Sequence, residues 1–295
     1  MTDPNGLVST MSYDLRGRLT SRSVGGETTT YDYDLAGLLT DVELPDGATL
    51  HYVYDTAHRL TEVHDGLGNK IVYTLDGMGN RTAEQAFDPL GALARTRTRV
   101  YDSLNRLSQE VGALGQATIH TYDGNGNRLT TTDPLTHATT NTYDALNRLL
   151  TVTQPGGPLT QYAYDKANNL VTVTDPRNLA TTYGYDGLDN QVSLVSPDTG
   201  TTTRTFDAAG NALTSTDARG VLSTYAYDDA NRVTQVAYSK SGFPTETHSY
   251  TWDSGANATG RISQVVDPSG TTAWTFAQQG RVASRAQTAG GVTLT

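Results

Sequence analysis

No cysteine occurs in the 295 residues, so disulfides contribute nothing to this fold and thiol ligands and thiol nucleophiles are excluded from its chemistry. Lysine is almost as scarce: Lys70, Lys166 and Lys240 are the only three, and the rest of the 21 basic residues are Arg. Against 31 acidic residues they leave a net charge of -10 and a pI near 4.9, which argues against a nucleic-acid surface, since phosphate binding needs clustered Lys and Arg. No run of about 18 apolar residues exists to form a membrane-spanning helix. The opening Met1-Thr2-Asp3-Pro4-Asn5-Gly6 lacks the basic start and apolar core of a secretory signal. Apolar residues with helical spacing are missing throughout.

Aliphatic residues are scarce as well. Leu, Ile, Val and Phe make up about 19% of the chain, close to the rough 20% below which a highly charged sequence stays unfolded. Here the charge per residue is small, and 17 Tyr and 29 Gly bring the apolar share to about 46%, inside the globular range. A folded all-β chain follows, with Thr and Tyr taking the place of Val and Ile in the strands.

What the chain has in abundance is a repeat. Tyr101, Tyr122, Tyr143, Tyr164, Tyr185, Phe206 and Tyr227 are each followed by Asp and stand 21 residues apart. Earlier copies begin at Tyr13, Tyr33, Tyr54 and Leu75, and later ones at Trp252 and Phe276, thirteen in all. A fixed period of this length means one supersecondary unit stacked on copies of itself, and residues 1–295 read as a single array. Three steps are longer, Leu75 to Tyr101, Tyr227 to Trp252 and Trp252 to Phe276, and the expectation is that turns absorb the extra residues.

The consensus unit is Tyr-x-Tyr-Asp-x-x-Gly-Asn-Arg-Leu-Thr-x-Val-x-Asp-Pro-x-Gly-x-x-Thr. Tyr-x-Tyr, as at Tyr162/Tyr164, has period 2 and puts both rings on one face of a strand. Asp-x-x-Gly-Asn is a turn, because Asp accepts hydrogen bonds from the backbone ahead and Gly or Asn tolerates positive φ. Arg-Leu-Thr-x-Val returns as a second strand, and Asp133-Pro134 or Asp175-Pro176 closes the unit. The first turn reads as having two lengths, six residues from Tyr143 to Leu149 and seven from Tyr122 to Leu129, compensated in the second turn. Since sheets beyond roughly ten strands curl, the array should form a curved or spiralling antiparallel sheet with its Tyr/Leu face inward. Arg106, Arg128, Arg148 and Arg232, each just after a turn, should form ladders with the repeating Asp residues or the rings.

The unit, nearly whole in Tyr122-Asp123-Gly124-Asn125-Gly126-Asn127-Arg128-Leu129-Thr130 and Tyr13-Asp14-Leu15-Arg16-Gly17-Arg18-Leu19-Thr20, resembles the YD repeat of RHS proteins, teneurins and the B and C components of insecticidal toxin complexes. The resemblance covers the whole chain. It implies hairpins wound into a hollow β-shell around a C-terminal toxic or variable effector domain, in large proteins that are secreted or displayed at the cell surface. The expected role is a structural shell or scaffold segment and not an enzyme. The shell's C-terminal core segment with its self-cleavage carboxylates is not recognisable, because Asp267-Pro268-Ser269-Gly270 is an ordinary turn of the array. Both ends fall midway through a repeat, as expected of a segment of a longer array or of ends that meet other copies of the chain. An uncharged final segment, Gly291 to Thr295, leaves an edge open to such end-to-end association, and two alternatives follow: a glycan-binding adhesin stalk and a self-assembling extracellular fibre subunit.

No residue stands out as catalytic, and no cofactor or metal is expected. The recurring Asp residues read as turn formers, since an active site is singular and they are not. Asp123 to Asn127 copies half of an EF-hand loop, but Arg128 occupies the place of the invariant Gly. His51, His58 and His64 lack zinc spacing. The aromatic stripe is chiefly packing; if any part binds ligand, Tyr250, Trp252 and Trp274, beside lengthened steps, are the candidates for stacking on sugar rings.

Overall fold

The computed structural model describes all residues from Met1 to Thr295: a 27-stranded antiparallel sheet with no helix. By compactness the chain divides into two units, Val8–Leu159 with Met1, and Thr160–Thr295 with Thr2–Leu7. Within each unit successive strands pair as a meander; in the first, Ala117–Tyr122 pairs with Arg128–Thr132, which pairs with Ala138–Tyr143. In the second, Ala180–Tyr185 pairs with Gln191–Ser196, which pairs with Gly200–Phe206.

One five-residue turn makes most of these connections. At 144–148 the Asp144 amide donates to the Arg148 carbonyl (2.9 Å) and the Asn147 amide to the Asp144 carbonyl (3.0 Å). Asp144 Oδ1 accepts the amides of Leu146 and Arg148, both at 2.9 Å. The fourth residue must be left-handed, which explains Gly or Asn there, as in Asn147 at φ 61° and Gly126 at φ 91°. The second turn of the unit has the same geometry: at 133–137 the Asp133 amide donates to the His137 carbonyl, and Asp133 Oδ1 accepts from Leu135 and His137. Both ends of such a hairpin therefore use one motif.

The two turn lengths expected after the aromatic do not exist. Asp123 closes on Asn127 as Asp144 closes on Arg148, so Tyr122 faces Arg128 where Tyr143 faces Leu149. Counting to the next Leu misled because Leu129 and Leu150 are the equivalent residues. The longer steps also differ from expectation. Between Leu75 and Tyr101 the turns stay short and the strands Arg81–Phe87 and Leu93–Tyr101 grow to seven and nine residues. Between Tyr227 and Trp252 the strands Val233–Ser239 and Glu246–Trp252 lengthen to seven residues and the turn at 240–245 takes up one more, whereas the stretch after Trp252 is taken up as expected, in a loop at 253–261.

Beside each repeat aromatic the ladder slips. Thr142 pairs with Thr151 but Tyr143 with Leu149, so Leu150 is an extra residue on the return strand, and the same shift accompanies Tyr33, Tyr185, Phe206 and Trp252. Such bulges bend a strand and increase its twist, and their recurrence at every repeat curls the sheet within each unit.

There is no conventional core. Val42, Val236 and Ala258 are the buried hydrophobic residues, and no large side chain is fully buried. Along Ala138–Tyr143 the face carrying Thr139, Asn141 and Tyr143 is half-buried and the opposite face is exposed. On that exposed face hydroxyls pair across strands, as in Thr142 with Thr151 and Thr121 with Thr130, both at 2.6 Å. The fold thus rests on strand ladders, turn hydrogen bonds and contacts between adjacent repeats.

Candidate functional site

The repeat-to-repeat contacts are the one feature built with active-site precision, and they begin at the Asp of each turn. Arg106, fifth in its turn, donates Nε to Asp102 Oδ2 at 2.8 Å. Its Nη1 reaches forward to the Asp123 carbonyl in the next repeat, also at 2.8 Å, and the guanidinium lies over the Tyr122 ring, 4.7 Å from its centroid. The Tyr122 hydroxyl in turn donates back to the Leu107 carbonyl at 2.8 Å. Arg18 and Tyr33 repeat this arrangement, and Arg232 lies over Trp252 while the indole N–H donates to the Val233 carbonyl. Arg232 is further held between Asp228 and Asp253, at 2.7 Å from each.

Asn replaces Arg at the same place in five repeats, at Asn80, Asn127, Asn169, Asn190 and Asn211. Asn127 donates Nδ2 to Asp123 Oδ2 at 2.9 Å and to Asn147 Oδ1 of the next turn at 2.7 Å. Asn80 to Asn105, Asn169 to Asp189 and Asn211 to Asn231 follow suit. The expected Arg ladder is therefore present at Arg106 and Arg232, and Arg148 pairs with Asp144 at 2.7 Å. Arg128 is the exception. It stands one residue later, exposed, because Asn127 already fills the position that closes on the turn Asp.

These contacts set the carboxyl groups. Asp102 and Asp144 are held below the usual carboxylate range chiefly by the amides of Arg106 and Arg148, with their guanidinium groups adding to the effect. Where Asn stands in for Arg, as at Asp123 and Asp207, its side-chain amide is the leading cause of the same shift. All four of these acids are ionised at neutral pH and committed to hydrogen bonds.

His51 and His64 come together as cross-strand partners with ring centroids 4.6 Å apart, and His51 Nδ1 donates to Asp41 Oδ1 at 2.7 Å. That hydrogen bond lowers the Asp41 carboxyl. His58 lies apart, in the left-handed position of its turn at φ 62°. No group of three or more His, Asp or Glu is arranged to hold a metal ion.

Tyr250, Trp252 and Trp274 lie on neighbouring segments of one face: Tyr250 is opposite Val265, Val265 opposite Thr272, and Trp274 is two residues on. Trp252 has Arg232 over its ring, and Trp274 faces Arg285 across the ladder. The loop at 253–261 rises beside them, with Asn257 donating to the Phe276 carbonyl at 3.0 Å. Asn5 grips this loop from the chain's start, accepting from the Thr259 amide at 2.8 Å and donating to its carbonyl at 3.3 Å.

An RHS repeat model matches residues 33–70, 54–91, 101–138, 143–180, 164–201 and 206–242, in phase with the aromatic-Asp positions. The chain belongs to the RHS repeat family. No curated protein matches this RHS array in sequence. Among solved structures it is similar to a chain of the TcdB2-TccC3-Cdc42 complex, with a TM-score of 0.58 and 14% identity over 97% of this chain and 20% of that one. TcdB2-TccC3 alone gives 0.55 and 13%, over 97% and 21%. A Tc holotoxin pore of Photorhabdus luminescens gives 0.55 and 13%, over 96% and 20%. The array thus has the fold of these toxin-complex chains and spans about a fifth of their length.

Proposed function

We propose that this RHS array is a wall segment of a protein shell that, in the longer polypeptide, encloses an effector domain and presents it outside the cell. The observation that carries the reading is the use of its polar side chains: the turn Asp fastens its own turn, while Arg, Asn and Tyr bond to the adjacent repeat, as a wall requires. The toxin-complex fold and the RHS family support the scaffold role, and the holotoxin likeness supports an extracellular setting. On this reading the chain is not an enzyme, its partners are neighbouring repeats of its own polypeptide, and its half-buried Tyr face looks toward the cargo. Limited proteolysis and electron microscopy of the whole polypeptide carrying the array test it. A hollow particle whose interior resists protease is expected; an open ribbon cut equally on both faces would sink the proposal.

A second reading, a glycan-binding surface at Tyr250, Trp252 and Trp274, is favoured by their sharing one face beside a raised loop. Tryptophan fluorescence titrated with oligosaccharides should then respond, and Trp274→Ala should abolish the response. An unchanged spectrum at millimolar sugar would rule it out.

A further inference from the structure

The strand Leu93–Tyr101 is nine residues long, whereas its neighbours Arg81–Phe87 and Leu107–Val111 have seven and five. Arg81–Phe87 pairs with it from Leu93 to Thr98, but Leu107–Val111 covers only Thr98 to Tyr101. Residues 93–97 therefore have a strand on one side and none on the other. After Val111 the chain turns away at 112–116, leaving an open hollow of about 420 Å³ bordered by Arg95, Arg97, Glu110, Gln116 and Pro134. This is an internal sheet edge about 17 Å long at the usual rise per residue, with unpaired backbone donors and acceptors.

The side chains along it are basic. Arg95 and Arg97 lie on one face with Glu84, which is directly opposite Arg97. Glu84 is shared by Arg81, Arg95 and Arg99, at 3.7, 3.0 and 3.9 Å, and Glu110 by Arg97 and Arg99, at 3.4 and 3.2 Å. Four guanidinium groups thus share two carboxylates in a chain of net charge -10. The surplus is at the open edge, where the Arg95 and Arg97 side chains are 58% and 43% exposed while that of Arg99 is 16% exposed.

We propose that this notch is a β-augmentation site for an extended acidic peptide with carboxylates at alternate positions. Strand addition uses the backbone for affinity and alternate side chains for specificity. A strand laid against residues 93–97 turns every second side chain to the face of Arg95 and Arg97, so carboxylates two apart meet both. A second copy offering the same edge would set Arg against Arg, and a helix has no free backbone groups to give.

The test is fluorescence anisotropy of a labelled (Thr-Glu)₄ peptide with the full chain. Binding is expected to weaken with salt and to fall about tenfold or more in Arg95→Glu/Arg97→Glu, whose far-UV circular dichroism should match the parent. On the parent chain, a backbone N-methylated peptide and the rearranged peptide (Thr-Glu-Glu-Thr)₂, in which no two Glu stand two apart, should both bind about tenfold more weakly or worse. Equal binding of these control peptides, absence of binding to the parent, or indifference to the charge reversal each overturns the site. So does self-association of the peptide-free chain that the double variant abolishes, which would give the notch to a second copy.

Discussion

Lowering the pH from 7 to 3 is expected to reduce the urea midpoint of this array. The cause is the turn Asp. Asp14, Asp55, Asp102, Asp123, Asp144, Asp207 and Asp228 all have carboxyl groups held below the ordinary value chiefly by hydrogen bonds from the fifth residue of the turn. An unfolded chain protonates its Asp near pH 4, whereas the native carboxylates resist until lower pH. In that window the unfolded state binds more protons, so stability is whole above about pH 4 and drains away as pH falls through the depressed native values. Each group is half-buried near the surface and its share is small, but it recurs in repeat after repeat. Urea titrations followed by circular dichroism at pH 7, 5 and 3 measure it. A flat profile would refute the turn-carboxylate account, and Asp144→Asn, which keeps an acceptor without the charge, should lessen the pH dependence.

Tyr122→Ala costs about 3 kcal/mol, while Tyr122→Phe costs about 1. The smaller figure is the hydrogen bond to the Leu107 carbonyl. The larger adds the stack of Arg106 and the half-buried ring, whose loss also frees the guanidinium that bridges to the Asp123 carbonyl. Tyr13, 57% exposed and bonded only to the Met11 sulfur at 3.2 Å, is the control. Tyr13→Ala should fall within about 0.5 kcal/mol of the parent. Urea midpoints for the three variants decide the matter: equal losses for Tyr122→Ala and Tyr13→Ala would mean the inter-repeat contact contributes nothing.

Much of this was legible because turn and strand chemistry is local. An Asp followed by Gly or Asn three residues later closes a turn, and Tyr-x-Tyr fixes which face is covered, so the hairpin array followed from spacing, and the family from the resemblance of the repeated residues to the YD repeat. The equivalence of Asn127 and Arg148 was hidden, because two unlike side chains reach the same turn carboxylate and only the hydrogen bonds show it. Arg128 was misplaced for the same reason.

The sequence by itself determined the all-β class, the repeat, the positions of the aromatics and the ionised state of the turn acids, each set by residues within about five of one another. Tertiary structure decided what lies further apart. Tyr122 reaches Leu107 and Arg106 reaches Asp123 across neighbouring repeats, where the ladder slips beside the aromatic, and Asn5 meets Thr259 across 254 positions. The extra residues before Tyr101 could have become a loop; backbone pairing with Arg81–Phe87 made them strand, and the shorter neighbour on the other side left the edge open.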